Sequence, residues 1–188
     1  MSLRHQQDLL ARLYTDAEFR AKFLSDPQAG GREYELSAAE TDEIATIVPE
    51  ELEFFSETLF WKRLRETEKL LPLTKKALAD EFSGYFRRFS GKFQPKTVKK
   101  HLEDAVAFCG YLRKSAGPDD LTKDLAGYER ARLVFFGSGR RIIVRRLRFD
   151  LRRLPEIGRN PFSAENFPRR QTIAVWLRTG GKTRHFLI

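Results

Sequence analysis

The residues of this 188-residue chain suited to chemistry are three histidines, one cysteine, adjacent acids such as Glu50-Glu51 and Asp119-Asp120, and a crowd of arginines. His5, His101 and His185 are scattered. No two share the i, i+4 spacing that puts a pair of imidazoles on one helix face, and no cysteine stands beside them. His101 and Asp104 could share a helix face, which at most makes a lone ligand, so no metal site formed by this chain and no cofactor is expected. Cys109 falls on the apolar stripe of a predicted helix, where a thiol behaves as a small hydrophobe rather than a nucleophile. Gly137-Ser138-Gly139-Arg140 has the glycine density of a phosphate loop but no helix after it, and reads as a turn. Glu50-Glu51 and Asp119-Asp120 stand at helix starts, where they offset the helix dipole. No catalytic constellation is left, and a chain that does no chemistry by itself is the expectation.

The arginines remain. Residues 130–188 hold fifteen Arg and Lys against three acids, whereas residues 1–129 are slightly acidic; the whole chain carries a net charge of +9. In this tail Arg146, Arg148, Arg178 and Arg184 fall on or beside predicted strands, and only Lys182 is lysine. Guanidinium groups fork onto carboxylates and phosphates in two-point contacts. Three readings stay open: a solvated outer face that resists edge-to-edge aggregation, a surface for an acidic protein or peptide, and a nucleic-acid surface. The tail lacks the aromatic-rich, glycine-punctuated strands of common RNA-binding sheets, and no helix has the basic face of a DNA-reading element.

The elements that must carry these residues divide by period. Residues 1–136 read as about six or seven helices and residues 137–188 as a basic antiparallel β region, an α+β protein with a multi-helix N-terminal part packed on a small C-terminal sheet of about three strands. The helical part shows a Thr15/Glu18 capping box, a second box at Ser37/Glu40, and Gly30-Gly31 as a flexible joint. A helix from Pro49 to Leu71 follows, then one from Leu73 to Ser90, one opened by Pro95, and a last one from Asp119 that ends between Glu129 and Phe136.

In the tail, Gly180-Gly181 is a two-residue hairpin turn, since glycine tolerates the positive φ such turns require. The register follows: Thr179 opposite Lys182, Leu177 opposite Arg184, Val175 opposite Phe186 and Ile173 opposite Ile188. This predicts that Ile173, Val175, Leu177, Phe186 and Ile188 pack on the helices. The other face, with Trp176, His185 and Leu187, is then open to hold peptide side chains while Arg146, Arg148, Arg178 and Arg184 meet the acids of the same partner. The preceding strand, Arg140 to Leu151, breaks strict alternation, and a bulge at Arg145-Arg146 is predicted to bring Ile142 and Val144 to the core together with Leu147, Phe149 and Leu151. Pro155 to Pro168 reads as a loop anchored by Phe162 and Phe167.

With 41% hydrophobic residues and sixteen Phe the chain can build a core. One cysteine excludes an internal disulfide and fits a reducing compartment. The N-terminus has no apolar leader and no segment approaches membrane-spanning length, so a soluble, cytoplasmic protein is expected.

Leu13-Tyr14-Thr15-Asp16-Ala17-Glu18-Phe19-Arg20-Ala21-Lys22-Phe23-Leu24-Ser25-Asp26-Pro27 resembles the helical opening D-x-x-F-R-x-x-F-x-x-D-P of several bacterial families. The layout around Leu70-Leu71-Pro72-Leu73-Thr74 and Lys100-His101-Leu102-Glu103-Asp104-Ala105, followed by arginine-rich strands, resembles uncharacterised bacterial helical-plus-β proteins over most of the chain. Some are encoded beside multinuclear non-heme iron oxidases that modify ribosomally made (RiPP) peptides. The resemblance implies a partner protein that docks on such an oxidase through residues 1 to about 115 and presents the precursor peptide on its tail sheet, with the iron in the oxidase. No individual binding residue carries over from it.

Overall fold

The computed structural model describes residues 2–153 and 167–188, in which nine helices are followed by a three-stranded antiparallel sheet, an α+β fold. No helix among the described residues is long and apolar enough to cross a membrane. The chain divides into two compact units, Met1–Leu64 with Ser90–Gln94, and Arg65–Phe89 with Pro95–Ile188.

The first unit is built on α1 (Ser2–Thr15), α2 (Ala17–Ser25), α3 (Pro27–Arg32), α4 (Ala38–Ala45) and the start of α5 (Pro49–Leu70). Leu9, Leu13, Phe19, Phe23, Leu36, Ile44 and Leu52 form its core. The cap of α2 is Asp16, whose carboxylate accepts the Phe19 N–H at 2.9 Å; Thr15, expected in that role, turns its hydroxyl back to the Ala11 carbonyl at 2.7 Å and closes α1. Gly30-Gly31 is not a joint. Asp26 caps a short helix there by accepting the Ala29 N–H, and both glycines are buried in it. A Cβ on Gly31 would run into the Thr41 side chain, and one on Gly30 would lie 2.6 Å from the Phe23 ring, so these glycines serve close approach. The Ser37/Glu40 capping box forms as expected.

In the second unit the expected helix over Leu73–Ser90 is two: α6 (Pro72–Leu78) and α7 (Glu81–Ser90). The break falls at Ala79, held at φ +45°, a backbone region that costs a residue with a Cβ. Beyond it, Phe82, Phe86 and Phe89 stack around Phe108 of α8 (Lys100–Lys114), with ring centroids 5.2–5.4 Å from it. Helix α8 starts at Lys100 instead of Pro95, because the Glu103 carboxylate accepts the Lys96 and Thr97 N–H groups and holds them as a turn. Helix α9 (Asp120–Gly137) is capped by Asp119 and continues through Leu133–Phe136.

β1 (Ile142–Leu147), β2 (Thr172–Thr179) and β3 (Lys182–Leu187) lie in the order β1-β2-β3. The hairpin register is as read from the sequence, with Gly180 and Gly181 at φ +55° and +76° and Ile173 and Ile188 exchanging backbone hydrogen bonds. β1 pairs with β2 without interruption from Ile142↔Leu177 to Leu147↔Thr172, so the bulge at Arg145-Arg146 does not occur. One face of this sheet packs on α9, where Leu121, Leu125 and Phe135 meet Leu147, Phe149, Leu151, Phe167, Ala174 and Trp176. Sheet and covering helix thus belong to the same unit, and the change of composition near residue 137 is a change of secondary structure within it. Phe162 lies outside the described residues; Phe167 is buried.

Candidate functional site

Side chains alternate across a strand, so the core side of the sheet is fixed by parity. Leu147, Phe149 and Leu151 are buried, which turns Ile143 and Arg145 inward with Leu147 and brings their partners Trp176, Ala174 and Thr172 inward too. This corrects the predicted orientation. Trp176 is 2% exposed and belongs to the core, while Ile173, Val175, Leu177, Phe186 and Ile188 face away from α9. Sequence reasoning invoked a bulge to bury both apolar sets of β1; the strand stays regular and leaves one set outside.

That outer face is a grid of nine side chains in three cross-strand rows. Ile142, Leu177 and Arg184 form one row, Val144, Val175 and Phe186 the next, and Arg146, Ile173 and Ile188 the third. Seven of the nine are apolar. Ile142, Val144 and Ile188 are 55%, 59% and 70% exposed. The two arginines occupy diagonally opposite corners, and the grid contains no acid. Arg146 donates to the Gln171 side chain at 2.6 Å, and neither Arg146 nor Arg184 has a carboxylate partner among the described residues. The outer edges of β1 and β3 pair with no further strand among those residues.

The residues predicted to bind therefore separate. Arg146 and Arg184 are on the outer face. Arg148 lies just past β1 and pairs with Asp120 at the start of α9, at 2.6 Å, while its backbone N–H is held by Asp124. Arg178 points inward. Its guanidinium lies 5.0 Å over the Phe135 ring and donates to the Ser138 and Phe135 carbonyls, so it closes the C-terminus of α9. His185 stacks on Trp176 at the inner margin, and its Nε2 lies 3.4 Å from the Tyr128 hydroxyl; burial lowers its pKa. Leu187 is half-buried against the same core.

A second concentration of charge lies on the helices of this unit and was not found from the sequence. Ala107, Gly110, Tyr111, Arg113 and Lys114 of α8 and Arg130 of α9 line a cavity of about 440 Å³. Arg145 is an inward-facing strand residue whose guanidinium lies against Gly127 of α9; a Cβ there would be 2.8 Å from it. Its pKa is lowered by burial first and by the Arg113 charge next. Helix spacing could have flagged Gly110, Arg113 and Lys114 as one turn, but only the packing of α8 against α9 brings Arg130 to them.

The other candidate centres are quiet. Cys109 is fully buried, and burial pushes its thiol pKa up. His5 lies 3.9 Å from the Glu35 carboxylate, and His101 has a buried Nδ1 with no hydrogen-bond partner. No group of three His, Cys, Asp or Glu among the described residues is placed to hold a metal ion. Glu129, whose pKa is raised by burial, is occupied with the backbone of α6. The chain matches no protein-family model and no curated protein sequence.

Proposed function

We propose that the chain is a recognition protein with no catalysis of its own, and that it holds an acidic, apolar-rich segment of a peptide or partner protein on the outer face of its sheet. The supporting observation is the grid itself: seven apolar side chains outside the core, with arginines at two corners and no acid. A contiguous exposed apolar surface of this kind is characteristic of an interaction site, and arginine is enriched in such sites. The free strand edges offer backbone pairing to an extended segment as well. A second copy of the chain is disfavoured as occupant, because stacking two such faces would bring four arginines and no acid into one interface of a tail that is already strongly basic. In the specific form implied by the resemblance, the partner is a peptide-modifying non-heme iron oxidase and the bound segment its precursor peptide.

Short peptides alternating Ile or Phe with Asp or Glu, titrated beside matched Lys peptides and single- and double-stranded nucleic acids over a salt series, test this reading. Binding of the acidic peptides that weakens about tenfold or more in Val144→Ser/Phe186→Ser or Arg146→Glu/Arg184→Glu supports it. Tight nucleic-acid binding with a steep salt slope, indifferent to these substitutions, rejects it. Co-expression with the product of an adjoining oxidase gene tests the specific form: a stable complex supports it, and separate elution counts against it.

A further inference from the structure

We propose that the cavity between α8 and α9 is an anion site that takes a phosphate-bearing small molecule, held by Arg113, Lys114 and Arg130 with Arg145 behind them. None of the three lining cations has a carboxylate partner among the described residues, and no acid lines the cavity. Arg113 and Lys114 lie in the last turn of α8, where cations offset the helix dipole. That accounts for two charges and leaves Arg130 and Arg145 without a structural role of the same kind. Arg145 does not line the cavity but adds its charge from behind, against Gly127 of α9. Its Nε is buried and makes no hydrogen bond, although guanidinium donors are costly to leave unsatisfied. Asp124 is the one acid whose charge acts appreciably on it, and that carboxylate already accepts the Arg148 N–H. Gathering like charges around a concavity is unfavourable unless an anion joins them.

The dimensions match a small ligand. A cavity of about 440 Å³ falls in the range of small-molecule sites, roughly 300–1,000 Å³. Two guanidinium forks and an ammonium suit the tetrahedral oxygens of phosphate better than a single carboxylate. Ala107 and Gly110 provide a low wall, since a Cβ on Gly110 would meet nothing within 4 Å, and Tyr111 provides a ring for the non-ionic part of the molecule. This site is independent of the outer sheet face and does not rest on the peptide-binding reading.

Titration of arginine-¹⁵N-labelled protein with pyrophosphate, and separately with inorganic phosphate, at ionic strength held constant with NaCl, decides the matter. The expected result is saturable one-to-one binding that moves the Nε–Hε signals of Arg113, Arg130 and Arg145 and leaves those of Arg146 and Arg184 in place. Arg113→Gln/Arg130→Gln, both exposed and expected to fold normally by circular dichroism, should weaken pyrophosphate at least about tenfold. Arg146→Gln/Arg184→Gln should leave it unchanged. Shifts that do not saturate, that NaCl reproduces, or that spread equally over all arginines overturn the proposal, as does unchanged affinity in the first double variant.

Discussion

Trp176 and His185 stand directly opposite each other on β2 and β3, with ring centroids 4.8 Å apart and planes 30° from parallel, and the stack lies on the core side of the sheet. Tyr128 of α9 closes it from above, 5.1 Å from Trp176 and 5.6 Å from His185. The pair therefore joins the hairpin to the helix. Trp176→Ala should cost about 3–5 kcal/mol in urea unfolding, in the range for a buried aromatic. Phe186→Ser, one position further along the opposite face, should cost about 1 kcal/mol or less. Equal costs for the two would mean that the faces are assigned the wrong way round.

The same stack makes stability depend on pH. Burial lowers the His185 pKa from its ordinary 6.5, and a neutral Nε2 can accept from the Tyr128 hydroxyl where a protonated one cannot. The unfolded chain then binds the proton more readily than the folded one. Stability is full above pH 6.5 and declines as pH falls from there through the lowered folded value, below which this contribution is flat. Urea midpoints across that interval should fall in the wild type and lose this slope in His185→Gln. An NMR titration should place His185 below 6.5.

How much of this was legible in the sequence depended on whether a signal was local. The hairpin register was, because Gly180-Gly181 fixes the turn and counting outward fixes each pair. The face was not. Val175 and Trp176 are both apolar, so β2 has no binary pattern, and the choice is made in β1, where Leu147, Phe149 and Leu151 set the parity. The Ser37/Glu40 box was legible for the same local reason, whereas the role of Gly30-Gly31 depends on Phe23 and on Thr41, which is ten residues beyond Gly31. Of the residues expected to bind, Arg146 and Arg184 lie on the outer face, although the register read from the sequence put Arg184 with Leu177 on the face expected to be buried, and Arg178 turns inward. Its engagement with the end of α9 depends on tertiary packing.

Glu129 shows a helix start maintained from a distance. At the N-terminus of α6 the cap position is Leu71, which has no side-chain acceptor, and Pro72 follows it. The Glu129 carboxylate of α9 accepts the Leu73 and Thr74 N–H groups, each at 2.9 Å, and the Thr74 hydroxyl at 2.7 Å. One buried acid from α9 takes the place of a sequence-local cap. Glu129→Ala leaves those donors unsatisfied and should cost about 3 kcal/mol. Glu129→Gln keeps one acceptor oxygen and should cost less. Hydrogen exchange at Leu73 and Thr74 should accelerate in both variants, and unchanged exchange would refute the capping role.

Gly31 is a place where helix propensity and packing give opposite signs. Alanine is favoured over glycine in a helix by about 1 kcal/mol, but a Cβ at Gly31 would collide with the Thr41 side chain. Gly31→Ala should therefore destabilise, by about 1–3 kcal/mol. Removing the obstacle in Gly31→Ala/Thr41→Ala should recover part of the loss, giving a favourable coupling in a double-mutant cycle. Additive costs would show that the two residues do not meet.

Asp150 predicts a second pH response, in acid. Its carboxylate accepts the Arg152 guanidinium at 2.8 and 2.5 Å and the Arg152 N–H at 3.1 Å, and these bonds depress its pKa from 3.8 to about 2. A depressed carboxylate adds stability that is fully present above pH 3.8 and lost as pH falls from 3.8 to about 2. Its backbone N–H meets the Pro168 carbonyl, so the ion pair steadies the point where the chain leaves β1. Arg152→Gln should raise the Asp150 pKa toward 3.8, so that the variant is less stable than the wild type above pH 3.8 and the two converge as pH falls toward 2. An Asp150 carboxyl that titrates at 3.8 in the wild type, followed by ¹³C NMR, would remove the basis for this prediction.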